Sequence, residues 1–408
     1  MWIRRTLPPT AAPLSFRDII GGLQGWFGEE RAVDRLRQEL ADYFGVPDCW
    51  LISSGKAALT LILKAMHSLS PQKSMVLIPA YTCYSVASSV VKAGLSVNLG
   101  DIDPQTLDFD YSRLESQVSD QTLCLVVNHL LGRTADVDRC LQLASSRGIW
   151  VVEDAAQAMG TFSRGKPAGT RADAGFFSLG RGKVICAVEG GVILTRNPDL
   201  AAAVQREYQN LPVCGFREKA ILLAKAIALT CFLRPSLYWL PDHLPFLKLG
   251  QTEFSTRFAL HRMSGFQCGL MRGWKQKIAR LNQSRLERTQ CYRRLLAGAG
   301  LSPSQTGQDH DGEAVPLLRF PLILENTKQR DQLYRKARHL GLGISRMYPD
   351  SIDSIDQLKG QVSRGNYPAA SRLARTLLTL PTHPLISLAD QRRIARLITL
   401  FREIITKE

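Results

Sequence analysis

Three short stretches hold the residues best suited to chemistry: VVEDAAQAMG at 151–160, FFSLGRGKVICAVEGG at 176–191 and SSGKAALTLIL at 53–63. Asp154 closes an apolar run that reads as a buried strand, and an unpaired charge buried there is costly, so its carboxylate needs a cationic partner. A protonated ring nitrogen of pyridoxal 5'-phosphate is such a partner. An aspartate facing that nitrogen keeps it protonated and strengthens the ring as an electron sink. A strand-end aspartate alone is more often a cap or turn residue, so its neighbours must decide. Gln157 projects to the same side if the chain turns after Asp154, where it can hydrogen-bond the ring oxygen or flank the ring face. Lys183 follows an apolar strand and a Ser-Leu-Gly-Arg-Gly turn. A lysine in a partly desolvated pocket loses its proton more readily and can form a Schiff base, although an isolated lysine is ordinarily surface decoration. Ser178 offers a hydroxyl to a phosphate, and Gly180 and Gly182 let the backbone come close. In SSGKAAL a strand end, a glycine turn and a helix start follow one another. Free backbone N–H groups and the helix dipole make such a place an anion site, with Gly55, Lys56 and Ala57 as the phosphate cradle.

These turns must be held by a common scaffold. From residue 48 to residue 195 β-rich runs alternate with helical patterns: CWLIS, SMVLIP, LCLVVNH, IWVVED, GFFSL and GGVILT are separated by segments such as KAALTLILKAM and VDRCLQLASSRG. That alternation predicts βαβ units and an α/β fold with a large, mostly parallel mixed sheet flanked by helices. In such sheets ligands sit at the carboxyl ends of the strands, where all three turns fall. The sequence divides into an N-terminal arm (1–30), a large α/β domain (31–267), a connecting helix (268–297) and a small C-terminal α+β domain (298–408). In the last, VPLLRFPLIL and GISRMYP read as strands and QRRIARLITLFREII as a terminal helix. Its 408 residues suit two units, since single cores stop growing at roughly 250 to 300 residues.

Residues 219–249 fit neither unit and form the most apolar stretch of the chain. Lys225, Arg234 and several prolines interrupt it, which argues against a membrane-spanning helix. It is either a buried excursion covering the main domain or a subunit contact, or an interfacial segment on an acidic membrane. Lysine and arginine outnumber aspartate and glutamate by 52 to 36, a net charge of +16, which favours anionic partners. No nucleic-acid recognition motif accompanies that charge. The nine cysteines show no CxxC or zinc spacing and read as free thiols in a reducing compartment, with no metal site. The N-terminus lacks the apolar run of a signal peptide, so the cytoplasm is the expected location, with a peripheral position on the inner face of the membrane if 219–249 binds lipid.

Residues 50–195 resemble the DegT/DnrJ/EryC1/StrS family of PLP-dependent sugar aminotransferases, which have the aspartate aminotransferase fold (fold type I). The matching pieces are SSGKAAL, IPAYTCYSVASSVVKAG, DIDPQTLDFD, NHLLG, VVEDAAQAMG and FFSLGRGKVICAVEGGVILT, in the family's order. Further on, RMSGFQCGLMRGWKQKIARLNQSRLERTQCY resembles its connecting helix and LTLPTHPLIS its C-terminal domain. The resemblance implies a homodimer with active sites shared between subunits. It implies Lys183 as Schiff-base lysine and general acid/base, Asp154 as pyridinium partner, Gln157 as a ring contact, and Ser178, Gly55 and Ala57 as phosphate ligands. It further implies transfer of an amino group from glutamate to a nucleotide-linked keto-sugar, in cell-surface polysaccharide or amino-sugar biosynthesis. The family's dehydratase branch has histidine where this chain has Lys183, which favours transfer over dehydration. The competing readings are another fold type I reaction, such as elimination or sugar dehydration, and a catalytically silent scaffold of a membrane-bound glycan assembly complex. Three positions depart from the family. Lys56 stands where a small hydroxyl residue is usual. Cys83 stands where an aromatic ring stacks on the cofactor, with Tyr81 or Tyr84 as substitutes. The 219–249 insertion is long and apolar. Arg181, His129 and His383 are the candidates for substrate contacts.

Overall fold

The computed structural model describes residues 5–244, 252–297, 312, 314–362 and 365–405. Seven strands build the main sheet: β1 (Asp48–Ile52), β2 (Met75–Pro79), β3 (Ser96–Gly100), β4 (Thr122–Asn128), β5 (Trp150–Asp154), β6 (Ala174–Ser178) and β7 (Gly191–Thr195). Their order across the sheet is β1-β7-β6-β5-β4-β2-β3. Strands β2 to β6 pair in parallel, whereas β7 runs antiparallel to both of its neighbours. Every residue of β4, TLCLVVN, is buried, as expected of a parallel strand covered on both faces.

The covering helices bring two apolar layers to the sheet. The helix α1 (Phe16–Phe27) precedes α2 (Glu29–Phe44), which buries Ala32, Leu36, Leu40 and Phe44 at one-turn spacing and ends on the left-handed Gly45. On that side Leu36, Phe44, Leu51, Phe177 and Val192 pack around Trp274. The helix α3 (Gly55–Leu69) lies in the other layer with Leu61 and Ile62 against Val76, Val126 and Ile193. Of the arm expected over 1–30, residues 5–15 carry no helix or strand, because Ser15 and Asp18 form a capping box that starts α1 only there.

After β7 come α4 (Pro198–Gln209) and α5 (Phe216–Phe232), the helix of the apolar insertion. Of α5, Lys219, Leu222, Ala226 and Thr230 are buried, while Phe216, Ile221 and Ile227 are exposed. Residues 245–249 of the insertion lie outside the described residues. No helix among the described residues is long and apolar enough to cross a membrane.

The connecting segment is broken in two, α6 (Gly265–Leu270) and α7 (Trp274–Ala297), because Gly273 takes a left-handed conformation between them. At 24 residues α7 is about 36 Å long. It begins in the large core at Trp274 and ends in a separate core, where Tyr292 and Leu296 meet Phe320, Leu333, Leu380 and Phe401. That second core is built on β8 (Arg319–Ile323) paired antiparallel with β9 (Leu377–Pro381), and on α8 (Thr327–His339) and α9 (Leu388–Ile405). The segment GISRMYP does not become a strand. Ser345 alone bridges to Thr379, and the chain then leaves the sheet as the Tyr348 N–H turns to the Tyr81 hydroxyl at 3.4 Å.

Candidate active site

Asp154, the last residue of β5, is the register partner of Phe176 in the adjacent parallel strand β6, so the turns after these strands open on the same edge of the sheet. Asp154 is buried, and one of its oxygens accepts the Ala156 N–H at 3.1 Å. Burial pushes its carboxyl pKa up, while the nearby charge of Lys183 works the other way. Lys183 is thus close enough for its charge to act on Asp154. Lys183 is half-buried, in a turn fixed by its own N–H donating to Gly180 O at 3.2 Å and by Ala187 N–H donating to Leu179 O at 2.8 Å. Its amine has no hydrogen-bond or ion-pair partner among the described residues.

The third turn arrives from β1. A Cβ added to Gly55 would lie 2.8 Å from Ser178 Cβ and 3.2 Å from its Oγ, so the first residue of α3 and the Ser178 hydroxyl touch only because residue 55 has no side chain. The N–H groups of Gly55 and Lys56 lie in the first helical turn and lack intrahelical acceptors, whereas the N–H of Ala57 donates to Ser54 Oγ at 3.2 Å. A helix N-terminus beside a hydroxyl is suited to a phosphate. A buried carboxylate, a free amine and this cradle together suit a flat cationic ring carrying a phosphate.

The remaining candidates are placed less uniformly. Gln157 is buried, donates to the Tyr348 hydroxyl at 3.0 Å and accepts the Leu131 N–H at 3.1 Å, beside the site and committed to protein partners. The ammonium of Lys56 lies over the Phe258 ring, 4.7 Å from its centroid, so this residue contributes to the cradle through its backbone. Cys83 caps the helix Tyr84–Lys92, and its sulfur accepts the Ser85 hydroxyl at 2.9 Å. Tyr84 donates to Asp350 O at 3.3 Å, and the Tyr81 ring packs 5.4 Å from that of Tyr348. Arg181 is exposed at the turn before Lys183.

The other two substrate candidates are buried and hydrogen-bonded within the protein. The His129 ring accepts the Ala135 N–H on Nδ1 at 3.0 Å and donates from Nε2 to Glu153 at 2.9 Å, so both nitrogens are spent inside the protein. Burial works against the Glu153 carboxylate, but His129 and the N–H groups of Gly169 and Ala172 hold its pKa below the usual range. His383 is buried, and its Nε2 donates to Pro8 O at 2.8 Å, tying the N-terminal segment to the end of β9.

Sequence reasoning missed Tyr348, Asn282, Arg285 and Arg319. Arg319 donates to Ser345 Oγ at 3.3 Å, and burial lowers its pKa in the company of Tyr348, Tyr238 and Tyr81. The two helix residues lie in an arginine- and lysine-rich run where spacing distinguishes no inward-facing member.

The family model described as the DegT/DnrJ/EryC1/StrS aminotransferase family matches residues 19–399. The chain belongs to that family. GDP-perosamine synthase of Caulobacter vibrioides is 34% identical to this DegT-family chain over 209 residues, covering 49% of this chain and 56% of that protein. The L-glutamine:2-deoxy-scyllo-inosose aminotransferase of Streptomyces kanamyceticus is 30% identical over 281 residues, covering 68% of this chain and 59% of that protein. The chain spans about half the length of the curated relatives it matches. Helicobacter pylori PseC, an aminotransferase involved in pseudoaminic acid biosynthesis, shares the fold with a TM-score of 0.76 at 15% identity, covering 98% of this chain and 99% of that one. The mostly parallel sheet with a reversed β7 is thus the fold type I architecture.

Proposed function

We propose that this DegT-family chain is a pyridoxal-phosphate-dependent aminotransferase that moves an amino group, with glutamate as donor, to a nucleotide-linked keto-sugar in cell-surface polysaccharide or amino-sugar biosynthesis. The observation that carries this reading is the buried Asp154 within reach of the charge of Lys183, which has no partner among the described residues, one strand away from the Gly55–Ser178 cradle. The residues fit the cofactor: Asp154 would hold the ring nitrogen protonated, Lys183 would carry the ring, and Ser178 with the α3 N-terminus would hold the phosphate. When bound, the cofactor supplies the electron sink for breaking the bond to the donor's α-hydrogen. With the cofactor held there, the Lys183 amine would be the base that takes that proton and the acid that returns it, a role that typically contributes about 10² to 10⁴ in rate. Gln157 and Tyr348 close the site on the side of the C-terminal unit.

The names of the relatives support an acceptor of the sugar or cyclitol class, and those of several print L-glutamine as the amine donor. Lys183 weighs against the dehydration alternative. The test is an absorbance spectrum of the protein with cofactor, wild type beside Lys183→Ala, before and after glutamate or glutamine. A visible band that needs Lys183 and is bleached by one donor supports the reading and identifies that donor. Absence of any lysine-dependent band overturns it.

The same reading includes a cytoplasmic homodimer with shared sites. A second feature favours a peripheral membrane position: α5 exposes Phe216 (76%), Ile221 (46%) and Ile227 (43%) on a chain of net charge +16. Co-sedimentation with anionic vesicles, lost in Phe216→Asp/Ile227→Asp, supports that position. Unchanged sedimentation of the variant excludes α5 as the contact.

A further inference from the structure

Asp154 and Lys183 sit on different turns, and a pair of side chains on α7 joins those turns. Asn282 donates from Nδ2 to Met159 O at 3.2 Å, in the turn that follows Asp154. Its Oδ1 accepts from Arg285 Nη1 at 3.3 Å. Arg285 in turn donates from Nη2 to Val184 O at 3.0 Å and to Lys183 O at 3.5 Å. The relay thus runs from one cofactor turn to the other through two residues three positions apart, which share a helix face. The first turn is pressed on the same helix: a Cβ at Gly160 would meet Ile278 Cδ1 at 3.0 Å and Asn282 Nδ2 at 3.1 Å.

Arg285 is fully buried, and no carboxylate pairs with it among the described residues. Burial lowers its pKa to about 9, which leaves the guanidinium charged at neutral pH. If the position needed only to be filled, a methionine or leucine would do so without the desolvation penalty. The charge and the fork of donors are kept beside the Lys183 peptide.

We infer that Arg285 is a positioning residue: with Asn282 it clamps the Asp154 turn to the backbone of Lys183 and so sets where the lysine amine stands in the cofactor site. The inference rests on the reading of Lys183 as the cofactor lysine. Besides holding the peptide, Arg285 places a buried positive charge beside the Lys183 backbone. His383 also feels the Arg285 charge and stays neutral.

The test compares wild-type holoenzyme with Arg285→Met, Arg285→Lys and Asn282→Leu. It measures the pH midpoint of the visible band of the lysine-bound cofactor, kcat and KM with the amine donor, and deuterium uptake by peptides covering 179–188 in cofactor-free protein. In Arg285→Met the band midpoint should rise by about one pH unit, a tenfold change in the protonation equilibrium. Its kcat should fall about tenfold with KM within about twofold, and uptake over 179–188 should quicken about tenfold while strand β4 stays protected. Arg285→Lys keeps the charge and should restore the midpoint but not the protection. Arg285→Met with unchanged midpoint, kcat and uptake overturns the inference, whatever happens to its melting temperature. Should Arg285→Met fail to fold, Asn282→Leu breaks the same relay: lower kcat and faster uptake support the clamp, and no change in either overturns it. If wild type shows no lysine-dependent band, the proposed function fails on its own, and uptake over 179–188 still decides the clamp.

Discussion

The Gln157 amide donates to the Tyr348 hydroxyl at 3.0 Å, so the turn after Asp154 and a segment that leaves the second sheet hold one another across the site. Both groups are buried. Removing the hydroxyl leaves the Gln157 amide without that acceptor, which costs about 1 to 3 kcal/mol. Tyr348→Phe is expected to lower the unfolding free energy by about that amount in a urea titration, and to lower kcat in the same preparation. A variant as stable and as active as wild type would mean that the bond does not couple the two segments.

Gly55→Ala places a methyl group 2.8 Å from Ser178 Cβ, where the cradle must narrow or open. Cofactor affinity, followed by the lysine-dependent band during titration, should weaken by about tenfold or more. Ser178→Ala removes the hydroxyl without the clash and should cost about 1 to 2 kcal/mol of binding. If both variants bind as tightly as wild type, the phosphate lies elsewhere.

His383 should make the protein sensitive to mild acid. Burial, reinforced by neighbouring guanidinium charges, lowers its pKa to about 3, although the bond to Pro8 O opposes the shift. The unfolded chain takes up a proton near pH 6.5 and the folded chain does not, so the stability contribution is complete above about pH 6.5 and is lost as pH falls towards 3. Denaturant titrations at about pH 7 and about pH 4.5 should differ by about 2 kcal/mol from this residue, and His383→Gln should flatten that difference. Equal slopes in variant and wild type would remove His383 as the cause.

Asp390 acts in a lower window. Burial opposes its charge, but hydrogen bonds from Arg5 and from the backbone and hydroxyl of Ser387 bring its pKa down to about 2. Its contribution is present above the unfolded value near 3.9 and is lost as pH falls towards 2. Because Arg5 is half exposed, solvent screening limits the effect to about 1 kcal/mol. Asp390→Asn should lower the unfolding free energy by that amount at neutral pH and leave it flatter below about pH 4, as read by denaturant titration.

The sheet and its three turns were legible because parallel strands buried on both faces leave long apolar runs, and because Asp154, Ser178 and Lys183 fall where such runs stop. The partners of individual side chains were not. His129 looked available only because Glu153, adjacent to Asp154, reveals nothing in sequence of the direction its carboxylate takes. His383 is answered by Pro8, which no local pattern links to it. Arg285 belongs to a helix rich in lysine and arginine, so nothing in sequence marks it as a buried one. Ser345 to Tyr348 alternates like a strand, yet one bridge to Thr379 is all that β9 takes from it.

The ties of the N-terminal segment carry a consequence for how the chain is made. Thr6 N–H donates to Pro235 O and Leu7 N–H to Gly341 O, each at 2.9 Å. Pro8 answers His383, 375 residues on, and Arg5 answers Asp390, 385 residues on. On the ribosome residues 5 and 8 emerge long before Asp390 and His383, which lie 385 and 375 residues further along the chain. Local units such as α3 with its strands can assemble while the chain is still growing. Arg5 and Pro8 must wait for these distant partners, so a nascent chain stalled before about residue 380 would present them to chaperones and proteases that the folded protein excludes.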